Sequence, residues 1–190
     1  MTEVFSVEEF SLYVLDITMN SVRAGATEIG VSLEEKGDIL TFTVTDNGCG
    51  MTPEQVAHLT DPFFTTRKTR SVGLGVPFLR MLSEGTGGEI LIESRSVSEY
   101  PDSHGTTLRA TFGLRHIDMI PLGDMTGTVV TLIQGSPDID FTYVHTTPRG
   151  TVRLSCSEIR RVLGDGIPLS SPEILAWIRD YLREGYAEIS

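Results

Sequence analysis

The chain has 190 residues, enough for one well-filled domain or one domain with a small appendage. Its hydrophobic share of 39% and charged share of 22% are ordinary for a globular protein, no apolar run approaches membrane-spanning length, and no basic-then-apolar leader opens the sequence, so a cytoplasmic protein without membrane contact is expected. A formal net charge of −11 disfavours broad nucleic-acid binding, because an acidic surface repels phosphate backbones; the one tight basic cluster is Arg67, Lys68 and Arg70.

Residues 7–24 carry the apolar spacing of a helix through Phe10, Val14, Ile17 and Val22, closed by Gly25-Ala26-Thr27. Ile29, Val31 and Leu33 alternate, Lys36-Gly37-Asp38 turns, and Leu40, Phe42 and Val44 alternate again into Asp46, which predicts a hairpin. Thr52-Pro53-Glu54 has the hydroxyl cap and first-turn proline of a short helix ending near Leu59. Residues 61–72 have no clean period and are expected to form a loop. A second long helix runs from Gly75 to Glu84, with Pro77 tolerated in its first turn. Residues 89–94 and 106–112 read as strands.

Beyond residue 118 the pattern changes, and 119–190 is expected to be a small C-terminal α/β extension. Val129–Ile133 reads as a strand, residues 141–145 and 151–154 as a hairpin around Pro148-Arg149-Gly150, and residues 157–163 as a short helix. Ser171-Pro172-Glu173 opens a final helix on which Trp177 and Tyr181 are expected to pack into the core. Cys49 and Cys156 form no CxxC pair, and Cys49 is read as a small packing residue in a glycine turn. His58, His104, His116 and His145 fall in no metal or triad pattern.

Three stretches carry chemistry. Asp16 and Asn20 lie one helical turn apart and share a face. A carboxamide oxygen suits a hard divalent cation, and a carboxylate beside it could orient or deprotonate water. Asp46, at the end of a strand in Asp46-Asn47-Gly48-Cys49-Gly50, could accept a hydrogen bond from the exocyclic amino group of adenine while Gly48 and Gly50 let the backbone approach the ring. Gly73-Leu74-Gly75 precedes a helix whose exposed amides would attract phosphate. Each motif alone has a bland reading, a solvated helix face, an ordinary turn or a simple loop; their order and spacing favour a site for a nucleotide with its metal.

In that order the motifs resemble the GHKL superfamily of ATPases and kinases, which includes gyrase B, the large heat-shock chaperone, MutL and the ATP-binding domain of sensor histidine kinases. DITMNSVRAGAT (16–27) resembles the N-box, DNGCGM (46–51) the first glycine box, DPFFTTRKT (61–69) the histidine-kinase lid, VGLGVPFLRMLSEGTGGEI (72–90) the second glycine box and its helix, and SHGTTLRATF (103–112) the closing strand. The resemblance implies an α+β fold, a two-layer α/β sandwich of the Bergerat type with a mixed sheet and helices on one face, over residues 1–118. It implies ATP and Mg²⁺ as ligands. Asn20 would hold the metal, and Asp46 would read adenine with Gly48, Gly50, Met51 and Thr106 around the base. Gly73, Leu74, Gly75 and Lys68 would face the phosphates, and Asp16 would stand where the ATPase branches carry a catalytic glutamate.

Two departures stand out. So few residues precede Asp16 that the histidine-kinase dimerisation and phosphoacceptor domain is expected to be missing, and the acidic tail is a poor match for a MutL transducer domain. The expected function is a Mg-ATP-binding regulatory protein with slow ATPase or protein-kinase activity toward an unidentified regulatory or client protein, with a homodimer left open. The alternatives are a non-catalytic nucleotide sensor, a kinase acting in trans on a protein serine or histidine, and, more distantly, a MutL-like repair ATPase.

Overall fold

The structure is a computed structural model and describes residues 9–59, 75–164 and 166–189. The elements in chain order are α1 (Phe10–Arg23), β1 (Glu28–Lys36), β2 (Ile39–Asp46), α2 (Pro53–Leu59), α3 (Gly75–Gly85), β3 (Ile90–Arg95), β4 (Gly105–Gly113), α4 (Met125–Gly135), β5 (Asp140–Thr147), β6 (Gly150–Ser155), α5 (Cys156–Leu163) and α6 (Pro172–Ile189). The six strands form one mixed sheet in the order β3-β4-β2-β1-β5-β6. Among the described residues only the β1/β5 pair is parallel; the other pairs are antiparallel.

Alternation in sequence becomes two unlike faces. Ile29, Val31 and Leu33 of β1 and Leu40, Phe42 and Val44 of β2 are buried, while Gly30, Ser32, Thr41 and Thr43 between them are not. Helices α1, α3, α4 and α6 cover the apolar face. At the centre the Phe10 ring meets Phe42 and Phe112 edge-on, with centroids 5.6 and 5.0 Å away. The open face is rich in threonine, in keeping with a sheet covered on one side.

α1 starts at Phe10 without a side-chain cap. Its first amides are satisfied tertiarily: the Phe10 and Ser11 N–H groups donate to the carbonyls of Pro121 and Leu122 at 2.8 and 2.9 Å. α2 has the predicted cap, reinforced by the Gln55 side chain, whose Oε1 accepts from the Thr52 N–H at 2.8 Å.

Two expectations are corrected. Val129–Ile133 is helical and lies within α4. Residues 125–133 are buried nearly all round between α1 and α6, so no polar face survives to give a helical period. The local signal was Asp124, whose Oδ1 accepts from the Gly127 N–H at 2.8 Å as an N-cap. Trp177 and Tyr181 do not enter the core: they are 52% and 44% exposed, whereas Leu175, Ile178 and Leu182 form the buried face of α6. Residues 119–190 supply β5 and β6 to the same sheet and α4 and α6 to the same helix layer, and their apolar side chains belong to one continuous core with residues 10–112.

Candidate functional site

The site is built around the C-terminal end of β2. There Asp46 pairs across the sheet with Ile29 on β1 and Thr106 on β4. Its carboxylate is held from two sides. The Ser21 hydroxyl on α1 donates to Oδ2 at 2.6 Å, and the Gly48 N–H donates to Oδ1 at 2.9 Å. A carboxylate has about four acceptor positions, so two bonds fix its orientation and leave acceptor capacity for a ligand. Beside it the Thr106 and Ser94 hydroxyls share a hydrogen bond of 2.8 Å, and Ser94 Oγ also accepts from the Met51 N–H at 2.8 Å. The structure thus brings Asp46, Gly48, Met51 and Thr106 to one place.

The glycines are required by close backbone approach. Gly50 has φ +63°, and a Cβ there would lie 1.8 Å from the Arg95 carbonyl oxygen. A Cβ at Gly105 would lie 2.1 Å from the carbonyl oxygen of Asp46. Gly48 is crowded more mildly, by Ala24 and by the Asp46 carboxylate. Asn47 points away from this cluster and fastens the turn to the start of β1: its Oδ1 accepts from the Thr27 and Glu28 N–H groups at 2.9 and 3.0 Å. His104 Nδ1 donates to the Gly48 carbonyl. Cys49 is exposed and Cys156 buried, so the packing role read for Cys49 belongs to the other cysteine.

Asp16 and Asn20 are half-buried on α1, as their shared helix face requires. The Asp16 carboxylate lies against Gly75 at the start of α3, so closely that a Cβ on Gly75 would sit 1.9 Å from Oδ2. Asn20 Oδ1 accepts from Arg23 Nη1 at 3.0 Å, a partner not foreseen from sequence. Lys68, Gly73, Leu74 and the loop at 61–72 lie outside the described residues. Ser21, Ser94 and Gly105 are the site residues that sequence reasoning missed. For Ser21 a signal existed: Ser11, Val14, Thr18 and Ser21 form a row of small residues on the buried side of α1, and a serine retained there needs a polar partner.

A helix layer on one face of a mixed sheet, with an anchored carboxylate at a strand end beside α1 and the start of α3, defines a nucleotide-binding sandwich of the Bergerat type. Residues 8–116 match the profile of the histidine kinase-, DNA gyrase B-, and HSP90-like ATPase family, and the chain belongs to that family. Membership implies ATP binding.

Among curated relatives, the chain is 28% identical over 98 residues to a probable C4-dicarboxylate sensor kinase of Bacillus subtilis, covering 52% of this chain and 17% of that protein. It is 33% identical over 84 residues to the sensor histidine kinase ZraS of Salmonella typhimurium (43% and 18% covered), and 43% identical over 56 residues to the sensory histidine kinase/phosphatase NtrB of Rhizobium meliloti (30% and 14%). The chain therefore spans less than a fifth of the length of these relatives. The fold is similar to the Aquifex aeolicus MutL ATPase domain complexed with ADP, at TM-score 0.53 and 16% identity over 92% of this chain and 88% of that one. It is also similar to the N-terminal domain of a DNA repair protein, at TM-score 0.54 and 17% identity over 84% and 58%. The first of these covers extends beyond residues 8–116, so the likeness in fold includes part of the C-terminal segment. Among the described residues no helix is long and apolar enough to cross a membrane.

Proposed function

We propose that this chain is a cytoplasmic Mg-ATP-binding regulatory protein with slow ATPase or protein-kinase activity, its ATP-binding unit in residues 1–118 and residues 119–190 an extension of it. The observation that carries the reading is the Asp46 carboxylate, oriented by Ser21 and Gly48 inside a turn that tolerates no side chain at Gly50. Such a group is a fixed acceptor for the amino edge of a purine, and the crowded glycines pack the turn tightly against Ala24 and Arg95, which holds that acceptor in place.

The donor set fits the metal as well as the base. Among the described residues no cluster of three or more His, Cys, Asp or Glu could hold an ion. Mg²⁺ commonly takes one or two protein oxygens and completes its shell with water and phosphate oxygens, so Asn20 suffices as the protein ligand. When bound, the ion supplies positive charge against the phosphates. The protein's share is to position: Asn20 by its carboxamide oxygen, Gly75 by its amide at the start of α3, and Gly73 and Leu74 as the residues just before it in sequence. Lys68 supplies a charge to phosphate, and Asp16 accepts a proton from water at its carboxylate.

One observation favours the second reading, a nucleotide sensor without turnover. The Asn20 oxygen is already engaged by Arg23; the shorter reach of aspartate than glutamate at the proposed base position agrees with it. Calorimetric titration with ATP and Mg²⁺, paired with phosphate release, decides between them. The ATPase reading expects Asp16→Asn to abolish release while binding persists, and Asn20→Ala to weaken binding only when Mg²⁺ is present. Turnover that survives Asp16→Asn removes that residue as the base. If labelled ATP gives neither phosphate nor a labelled protein in a lysate, the sensor reading stands. The absence of any heat or thermal shift with Mg-ATP overturns both.

A further inference from the structure

The outward face of α6 carries a pattern that the nucleotide site does not use. At 3.6 residues per turn, Glu173, Trp177, Asp180, Tyr181, Glu184 and Glu188 fall on one side, opposite the buried Leu175, Ile178 and Leu182. All six are exposed. The Trp177 and Tyr181 rings stack on each other, with centroids 5.4 Å apart and planes 15° from parallel, and both remain substantially exposed to water. Carboxylates border it. Asp180, Glu184 and Glu188 succeed one another at four-residue intervals, a like-charge spacing that weakens a helix. No ion pair among the described residues involves them. Arg179 and Arg183 fall on the flank of the helix, outside this stripe.

We propose that this face is a docking surface for a basic segment of a partner protein, an arginine-rich amphipathic helix or strand. Charge complementarity selects that occupant. A guanidinium laid on an outer face of the stacked Trp177–Tyr181 pair makes a cation–π contact, and its neighbours pair with carboxylates that otherwise repel one another. A second copy of this chain would bring the same acidic stripe and a net charge of −11, and an anionic lipid surface would be repelled for the same reason.

The test uses the full chain and its single tryptophan as reporter. A synthetic amphipathic peptide of leucine and arginine is titrated while Trp177 emission is followed, with a leucine–glutamate peptide as control. The proposal expects a saturable change with the arginine peptide alone. It expects affinity to weaken about tenfold when Glu173→Gln, Asp180→Asn and Glu184→Gln are combined, the sum of three rim ion pairs. The variant combining Glu34→Gln, Glu93→Gln and Glu99→Gln, exposed carboxylates away from α6, should bind like the parent. No saturable change, or equal loss in the two triple variants, overturns the docking face. A dimer seen by light scattering that Trp177→Ala dissolves would assign the face to a second copy and overturn it too.

Discussion

Asp46→Asn separates the two roles open to this residue, purine acceptor and structural staple of the turn. The Gly48 N–H sits 2.9 Å from Oδ1 and can only donate, so the asparagine must keep oxygen there. The amide nitrogen is then forced into the Oδ2 position, 2.6 Å from the Ser21 hydroxyl. That hydroxyl can rotate and accept, so both anchoring bonds survive and folding stability should change by less than about 1 kcal/mol. The ligand meets a different surface: a neutral donor where a charged acceptor stood. Losing one charge-assisted hydrogen bond costs about 1.5–3 kcal/mol, which is roughly a 10- to 150-fold rise in Kd for Mg-ATP. Inosine triphosphate presents an oxygen in place of the amino group, so the variant should lose its preference for ATP over the inosine nucleotide. Calorimetry with both nucleotides, beside urea denaturation of the two proteins, reads all three quantities. If ATP affinity stays within about threefold, the carboxylate does not read the base; if stability collapses instead, Asp46 is chiefly a turn residue.

Gly50→Ala should lower the urea midpoint by the equivalent of about 2–4 kcal/mol, because left-handed backbone strain adds to overlap with the Arg95 carbonyl; a cost below about 0.5 kcal/mol would mean that the turn is not packed this way. Far from that site, Tyr186 on α6 links His145 Nδ1, at 3.0 Å, to the Tyr143 hydroxyl, while His145 Nε2 lies 3.1 Å from Glu35. Tyr186→Phe should therefore cost about 1–3 kcal/mol by stranding two buried polar groups, and an isoenergetic variant would show that the network relaxes. Burial lowers the pKa of His145 below 6.5 despite the opposing pull of Glu35, so the unfolded chain takes up the proton first. Stability is then full above pH 6.5 and falls as acid is added through the folded-state value; melting temperatures across that range should show the decline, and His145→Gln should flatten it. In alkali the sign reverses. Burial pushes Tyr186 up to about 12, so its contribution is intact below pH 10 and lost as pH rises through 12, a decline that Tyr186→Phe should reduce.

The local pieces of this fold were legible because each is written within a few residues. Alternation over 29–33 and 40–44 around a tight turn, which the structure closes with Gly37 and Asp38 alone, makes a hairpin with one buried face, and Thr52-Pro53 starts a helix from its own cap. The order of Asp16, Asn20, Asp46 and Gly75 pointed to the family for the same reason, since each motif is short and complete within its own stretch of chain. Where burial erased the period, local reading failed: Val129–Ile133 is buried nearly all round, and its helix was decided by the space between α1 and α6.

Sequence by itself thus determined the family and most elements. Tertiary structure alone decided that β5 joins β1 in parallel, so that the C-terminal segment completes one sheet. It also decided that Ser21 meets Asp46 across 25 positions and Glu35 meets His145 across 110, while Trp177 and Tyr181 face water. Those outcomes depend on which surfaces remain free once the core has closed, and that choice is made by the packing of distant segments against each other.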